Sequence, residues 1–174
     1  MTLISKIQAF LQKKSIQKDK VIRKDFKKNS GISKTTVSNI INASQLNPDL
    51  FTILKIAKYF GCTIDEVLGR KKQYYDKLTN YKFNDISLDE VYNNLRSFIN
   101  NELEKNKDLN PYELSENCGF SPNAIRNFIK EDNPQKVLGI SIILALADYL
   151  EVSIDIMIGR VSPQGQKSSP NSHN

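Results

Sequence analysis

The chain has 174 residues, enough for one ordinary domain or two small ones, each near the lower size at which a hydrophobic core suffices without metal or disulfides. Its two cysteines, Cys62 and Cys118, form no CxxC pair and its one histidine, His173, stands in the last residues, so a metal site and a disulfide framework are not expected and two reduced, mostly buried thiols are. The formal net charge of +6 is uneven: residues 1–72 hold fifteen Lys/Arg against five Asp/Glu, the remainder ten against fourteen, which directs an acidic partner such as nucleic acid to the N-terminal part.

The first segment carries apolar residues at 3, 7, 10 and 11, one face of a helix predicted over 2–15. Lysines interrupt this stretch, so it does not read as a signal peptide and a cytoplasmic location is expected. Helices are predicted next over 22–30, 33–42, 50–60 and 63–69. Ser33 is the expected N-cap of the third, Pro48-Asp49 opens the fourth, Gly61 stops it, and Thr63 with Glu66 has the spacing of a capping box. Residues 72–86, charged and rich in tyrosine, read as a linker partly packed on its neighbours.

From residue 87 the pattern returns. Ser87 with Glu90 makes a second capping box, and apolar residues at 91, 95, 98 and 99 repeat the first helix at an offset of 88. Asn110-Pro111 is a cap followed by proline at the first helical position. "CGFSPNAIRNFI" (118–129) repeats "SGISKTTVSNII" (30–41) at the same offset. "LALADYLEVSIDIMIGR" (144–160) repeats "LKIAKYFGCTIDEVLGR" (54–70) at an offset of 90, so the second copy holds two extra residues in the loop between. Its apolar run 137–150 contains Asp148 and is too short to span a bilayer, so no membrane association is expected. Residues 162–174 lack apolar periodicity and are expected to be disordered. The expected domains are therefore 1–71 (basic) and 87–161 (acidic), joined by the linker 72–86.

Two helices around a turn glycine, with apolar anchors six and nine positions later, describe a helix-turn-helix: Gly31 with Val37 and Ile40, then Gly119 with Ile125 and Phe128. "GISKTTVSNIINASQLNPDLFTILKIAKYFGCTIDEVLG" resembles the phage-repressor, Cro/cI-like (XRE) helix-turn-helix family over residues 1–70 and, to a lesser extent, over 89–160. The resemblance implies an all-α fold of two tandem five-helix, lambda-repressor-like domains, and a third helix that enters the major groove of double-stranded DNA. The sequence departs from the family at Lys27, where a small residue is usual, and at Ser30, where a bulky one is. The family's polar phosphate-binding position is Arg23 in copy 1 and Pro111 in copy 2.

With Val37, Ile40 and Ile41 inward, the third helix offers Lys34, Thr35, Ser38, Asn39 and Asn42 as base readers. Lys20, Arg23, Lys24, Lys27 and Lys28 are suited to phosphates. In copy 2, Asn123, Arg126, Asn127 and Lys130 form a possible second DNA site, disfavoured by the acidic surroundings that include Glu131 and Asp132.

Copy 2 is expected chiefly to join chains or to dock on copy 1. In its closing helices Lys55, Lys58, Cys62 and Glu66 are matched by Ala145, Asp148, Val152 and Ile156, and Ile140, Ile142, Ile143, Leu144 and Leu146 exceed one buried stripe. A homodimer through Ile140, Ile143 and Ile156 on a palindromic site is therefore expected, with a monomeric pseudo-dimer on successive half-sites as the competing arrangement. The function expected is a sequence-specific transcriptional regulator of the repressor sort, without cofactor. The alternative is an antitoxin or anti-repressor-like module that binds a protein partner. Catalysis is not expected, because no His, Cys or paired carboxylates stand at catalytic spacing.

Overall fold

A computed structural model describes residues 2–16, 19–44, 47–78, 83–130 and 137–161; the predicted tail 162–174, and Glu131 and Asp132 after the eighth helix, lie outside them. The described residues form ten α-helices and no strand. The first five are α1 (Leu3–Lys13), α2 (Lys20–Asn29), α3 (Lys34–Ile41), α4 (Leu50–Phe60) and α5 (Ile64–Val67). The second five repeat their order: α6 (Leu88–Lys105), α7 (Pro111–Asn117), α8 (Asn123–Ile129), α9 (Ile140–Tyr149) and α10 (Ile154–Met157).

Local signals set most helix starts. Asp19 accepts the amides of Val21 and Ile22 at 2.7 and 3.2 Å, which begins α2 two residues earlier than periodicity alone predicts. Ser33 accepts the Thr36 amide at 3.0 Å and Asp49 that of Thr52 at 2.7 Å. Gly61 closes α4 with a left-handed φ of 61°. Ser87 with Glu90, and Asn110 with Glu113, form complete capping boxes. Thr63 forms only half of one: its hydroxyl accepts the Glu66 amide at 3.0 Å, but the Glu66 carboxylate turns to Lys14, 3.7 Å away.

The buried stripe of α1, Ile4, Ile7, Phe10 and Leu11, meets Phe26 of α2, Val37 and Ile40 of α3, and Ile53, Ile56 and Ala57 of α4. Phe26 lies 5.6 Å from Phe60 and 4.9 Å from Tyr59, between ring centres, and so ties α2 to α4. Val91, Leu95, Ile99, Leu114, Ile125, Phe128, Ile143, Leu146 and Ala147 fill the equivalent space in the second five helices. The thiols are free, as their spacing indicates. Burial pushes the Cys62 thiol up to about 12, and also raises that of Cys118, so neither is a thiolate at neutral pH.

The two sets of helices meet at α5 and α10 through reciprocal bonds. Asp155 accepts the Ile64 amide at 2.7 Å, and Asp65 accepts the Ile154 amide at 3.2 Å together with the Ser153 hydroxyl. Arg160 donates to Asp155 at 2.7 Å and to the Cys62 carbonyl at 2.9 Å. Arg70 donates to Asp65 and, at 2.8 Å, to the Val152 carbonyl. Apart from the Ser153 hydroxyl bond, each of these bonds has its counterpart ninety positions away, which makes the contact an isologous pair inside one chain. Asp65, Asp155, Arg70 and Arg160 are all buried there. Burial pushes the Asp155 carboxyl up, against the opposing pull of the Arg160 guanidinium. The linker packs on this joint: the guanidinium carbons of Arg70 and Arg160 lie 4.6 and 4.0 Å from the ring centres of Tyr74 and Phe83.

This joint corrects the expected dimer contact. Ile140 and Ile143 are 6 % and 0 % exposed, core residues of the chain itself, and have no surface for a second chain. Ile156 is half-buried against Tyr75 and Leu78 of the linker and Val161, while Ile142 and Leu144 are half-buried on the main core. Asp148 is paired as well, accepting from Arg70 Nε at 2.8 Å. Replacing Ile143 by Ala should lower stability by about 2–5 kcal/mol. Thermal midpoints of the native chain and the variant should be independent of protein concentration; midpoints that rise with concentration would place Ile143 between chains.

Candidate nucleic-acid interface

Gly31, at φ 69°, turns the chain from α2 into α3, and Gly119, at φ 78°, turns it from α7 into α8. A side chain at either position would be strained by the left-handed backbone even though the space around it is open. Beyond Gly31, Val37 and Ile40 are each 1 % exposed and Ile41 packs partly on the core, as the inward stripe requires. Lys34, Thr35 and Asn42 are exposed, whereas Ser38 and Asn39 are half-buried.

The cations predicted for phosphate converge. Lys20, Arg23, Lys24, Lys27 and Lys28 of α2 line one open groove of about 570 Å³ together with Lys34 at the start of α3. Two carboxylates in this neighbourhood are occupied elsewhere: Asp19 caps α2, and Asp25 accepts from Asn29 and from the Tyr59 hydroxyl. The groove therefore presents positive charge beside the exposed end of α3. Such an arrangement draws in a polyanion and holds it by charge-assisted bonds.

Two of the six cations also have structural partners. Arg23 Nε donates to the Ile16 carbonyl at 3.0 Å, fixing the guanidinium at the groove wall. Lys27, where the family has a small residue, runs its stem along α3 and donates to the Ser38 hydroxyl at 3.0 Å. The Ser38 hydroxyl of α3 is thereby joined to the cations of α2. In copy 2 the matching residue is the buried Ser115, which accepts the Ile125 amide at 3.1 Å and donates to the Pro111 carbonyl at 2.8 Å.

One positioning residue escaped the sequence reading. Gln8 of α1 donates to the carbonyls of Ile41 at 2.9 Å and Ile40 at 3.3 Å, satisfying the C-terminal end of α3. Its counterpart eighty-eight residues on, Arg96, donates from Nε to the Phe128 carbonyl at 3.1 Å at the end of α8. A polar residue recurring between apolar helix positions was the available signal, although the substitution of Arg for Gln hid it.

The second helix pair keeps the scaffold and loses the charge. Asn123 and Lys130 are exposed and Asn127 is half-buried, while the half-buried Arg126 lies over the Tyr112 ring, 5.4 Å from its centre. The positions matching Lys20, Arg23, Lys24, Lys27, Lys28 and Lys34 are Asp108, Pro111, Tyr112, Ser115, Glu116 and Pro122. None is cationic and two are acidic. Among the described residues there is also no group of His, Cys, Asp or Glu that could hold a metal ion, and no helix long and apolar enough to cross a membrane.

Residues 7–67, from α1 to the end of α5, match the family described as Helix-turn-helix. The chain is 46 % identical over 76 residues to an uncharacterized HTH-type transcriptional regulator of Rickettsia conorii, covering 42 % of this chain and 69 % of that protein. It is likewise 46 % identical over 74 residues to one of Rickettsia prowazekii, covering 41 % and 79 %. No solved structure matches it significantly. With its turn glycine, inward anchors and closing helices all within the matched segment, the chain belongs to the Cro/cI-like, XRE-type helix-turn-helix family.

Proposed function

We propose that this protein is a sequence-specific DNA-binding transcriptional regulator, acting as a repressor, with α3 as its major-groove reader. The observation that carries the reading is the convergence of six cations in one groove beside the exposed turn of α3. Lys34 has the donors for guanine O6 and N7, Asn39 the paired donor and acceptor for adenine N6 and N7, and Thr35 a methyl for thymine. Asn42, one turn on, faces the same way and extends the footprint. Lys20, Arg23, Lys24, Lys27 and Lys28 hold phosphates on the flank and set the register of α3 along the duplex. Repression requires only occupancy of a promoter by the bound protein. The helices α6–α10 serve by docking on α1–α5. The possible second DNA site at Asn123, Arg126, Asn127 and Lys130 has polar readers without a matching phosphate clamp, and so takes no leading part.

A protein-interaction role of the antitoxin or anti-repressor kind would leave the α2–α3 groove without a polyanion, and the charge arrangement favours DNA. Selection of bound sequences from random duplexes with the full chain tests the proposal; enrichment of no common sequence would reject it. A reporter driven by a promoter carrying the selected sequence should fall when the protein is supplied, and a rise would reverse the sign of regulation.

Asn39→Ala should cost about 1–3 kcal/mol on the selected sequence and leave binding to random DNA nearly unchanged. Equal losses on both would remove Asn39 from the base readers. Lys24→Gln, at an exposed groove position, should lower the steepness of log affinity against log salt by about one unit while preserving sequence preference. An unchanged slope would place the groove away from the phosphates.

A further inference from the structure

We propose that the chain is its own pairing partner, and that it therefore recognises DNA as a monomer at a single, unrepeated half-site; the DNA part of this inference rests on the reading of α3 given above. Two-fold dimers of identical chains read inverted repeats because each subunit offers the same surface. Here the isologous contact is complete within one molecule. The amides of Ile64 and Ile154, the carbonyls of Cys62 and Val152, and both buried arginines already have partners from the opposite half. Residues 62–65 are 7 % exposed or less, so a second chain finds none of this surface available.

Position 58 and its counterpart 148 make the pairing selective. Arg70, buried in the joint, donates to the exposed Asp148 at its rim at 2.8 Å. If two copies of α1–α5 met in the same geometry, Arg70 would face Lys58, the residue aligned with Asp148. Like charge at that point penalises the contact between chains, and opposite charge rewards the contact within one. Lys58 is instead paired with Asp85 of the linker, which stabilises the covalently joined arrangement once more. Because the halves are linked through residues 68–87, the second half also meets the first at an effective concentration on the order of millimolar, which a separate chain does not match.

The consequence for DNA follows from charge. The pair offers two helix-turn-helix units, yet only one is flanked by the six-cation groove; the matching positions of the other include Asp108 and Glu116. The second unit is repelled where an ordinary dimer partner would bind, so the preferred site has no repeated half.

Three measurements on the full chain test this. Sedimentation should give the mass of one chain, 19.8 kDa, across the concentrations used for DNA titration; a dimer would overturn the self-pairing. Sequence selection should return one unrepeated motif, and a duplex carrying it as an inverted repeat should bind with only the statistical gain of about twofold. A gain on the order of 100-fold, the signature of bivalent attachment, would overturn the half-site assignment. In hydrogen exchange, the Ile64 and Ile154 amides should be protected in the native chain and lose protection in Asp148→Lys, while amides within α4 stay protected. Unchanged protection of both amides in that variant would overturn the selective role of position 148. Failure of the chain to bind any duplex would reject the DNA reading of α3 and the half-site with it, whereas mass and exchange would still decide the self-pairing.

Discussion

Two buried carboxylates, Asp65 and Asp155, hold the molecule in its observed arrangement. Each accepts the first amide of the four-residue helix in the opposite half, and each is held by an arginine five residues further along its own half. A helix this short has almost no internal hydrogen bonding, so its leading amides depend on an outside acceptor. Buried ion pairs of this kind add little net stability, because desolvation offsets most of the attraction. Removing one member costs about 3–5 kcal/mol, since the rest are left buried and unpartnered. The joint therefore specifies orientation more than it strengthens the fold. Through α5 and α10 the two sets of helices are held face to face.

Within that frame, the two halves share their supports and differ in what they present. The left-handed glycines, the anchors Val37 and Ile40 or Ile125 and Phe128, and the bond from α1 to the end of α3 or from α6 to the end of α8 recur in both. These contacts fix the tilt of α3 and α8 and are indifferent to the outer surface. The outer surface has changed sides electrically, with six groove cations in one half matched by neutral or acidic residues in the other. Packing constraints preserve a scaffold over long divergence because each lost contact opens a cavity. Solvent-facing charges carry no such penalty and are free to follow the partner.

Much of this was legible in the sequence because it rests on local chemistry. Ser33, Asp49, Ser87 and Asn110 cap helices through bonds spanning two or three residues, and Gly31 and Gly61 turn the backbone by lacking a side chain. The apolar period named Ile7, Leu11, Val37 and Ile40 as core. The groove was legible in composition: five cations within nine residues of α2 cannot all turn inward.

What the tertiary structure decided is where the two copies meet and which apolar residues that leaves exposed. Ile140, Ile143 and Ile156 looked like surplus surface because a sequence shows how many apolar residues a helix carries, not how many neighbours stand ready to cover them. The same limit hid the partnership of Lys27 with Ser38 and of Gln8 with the end of α3, contacts between residues eleven and thirty-three apart. Asp65 and Asp155 stand in the first turn of a helix, where a negative charge is favoured by the local dipole. Their actual partners lie about ninety residues away, and only the folded chain brings those amides within reach, because hydrogen bonds act over a few ångströms of space whatever the distance along the sequence.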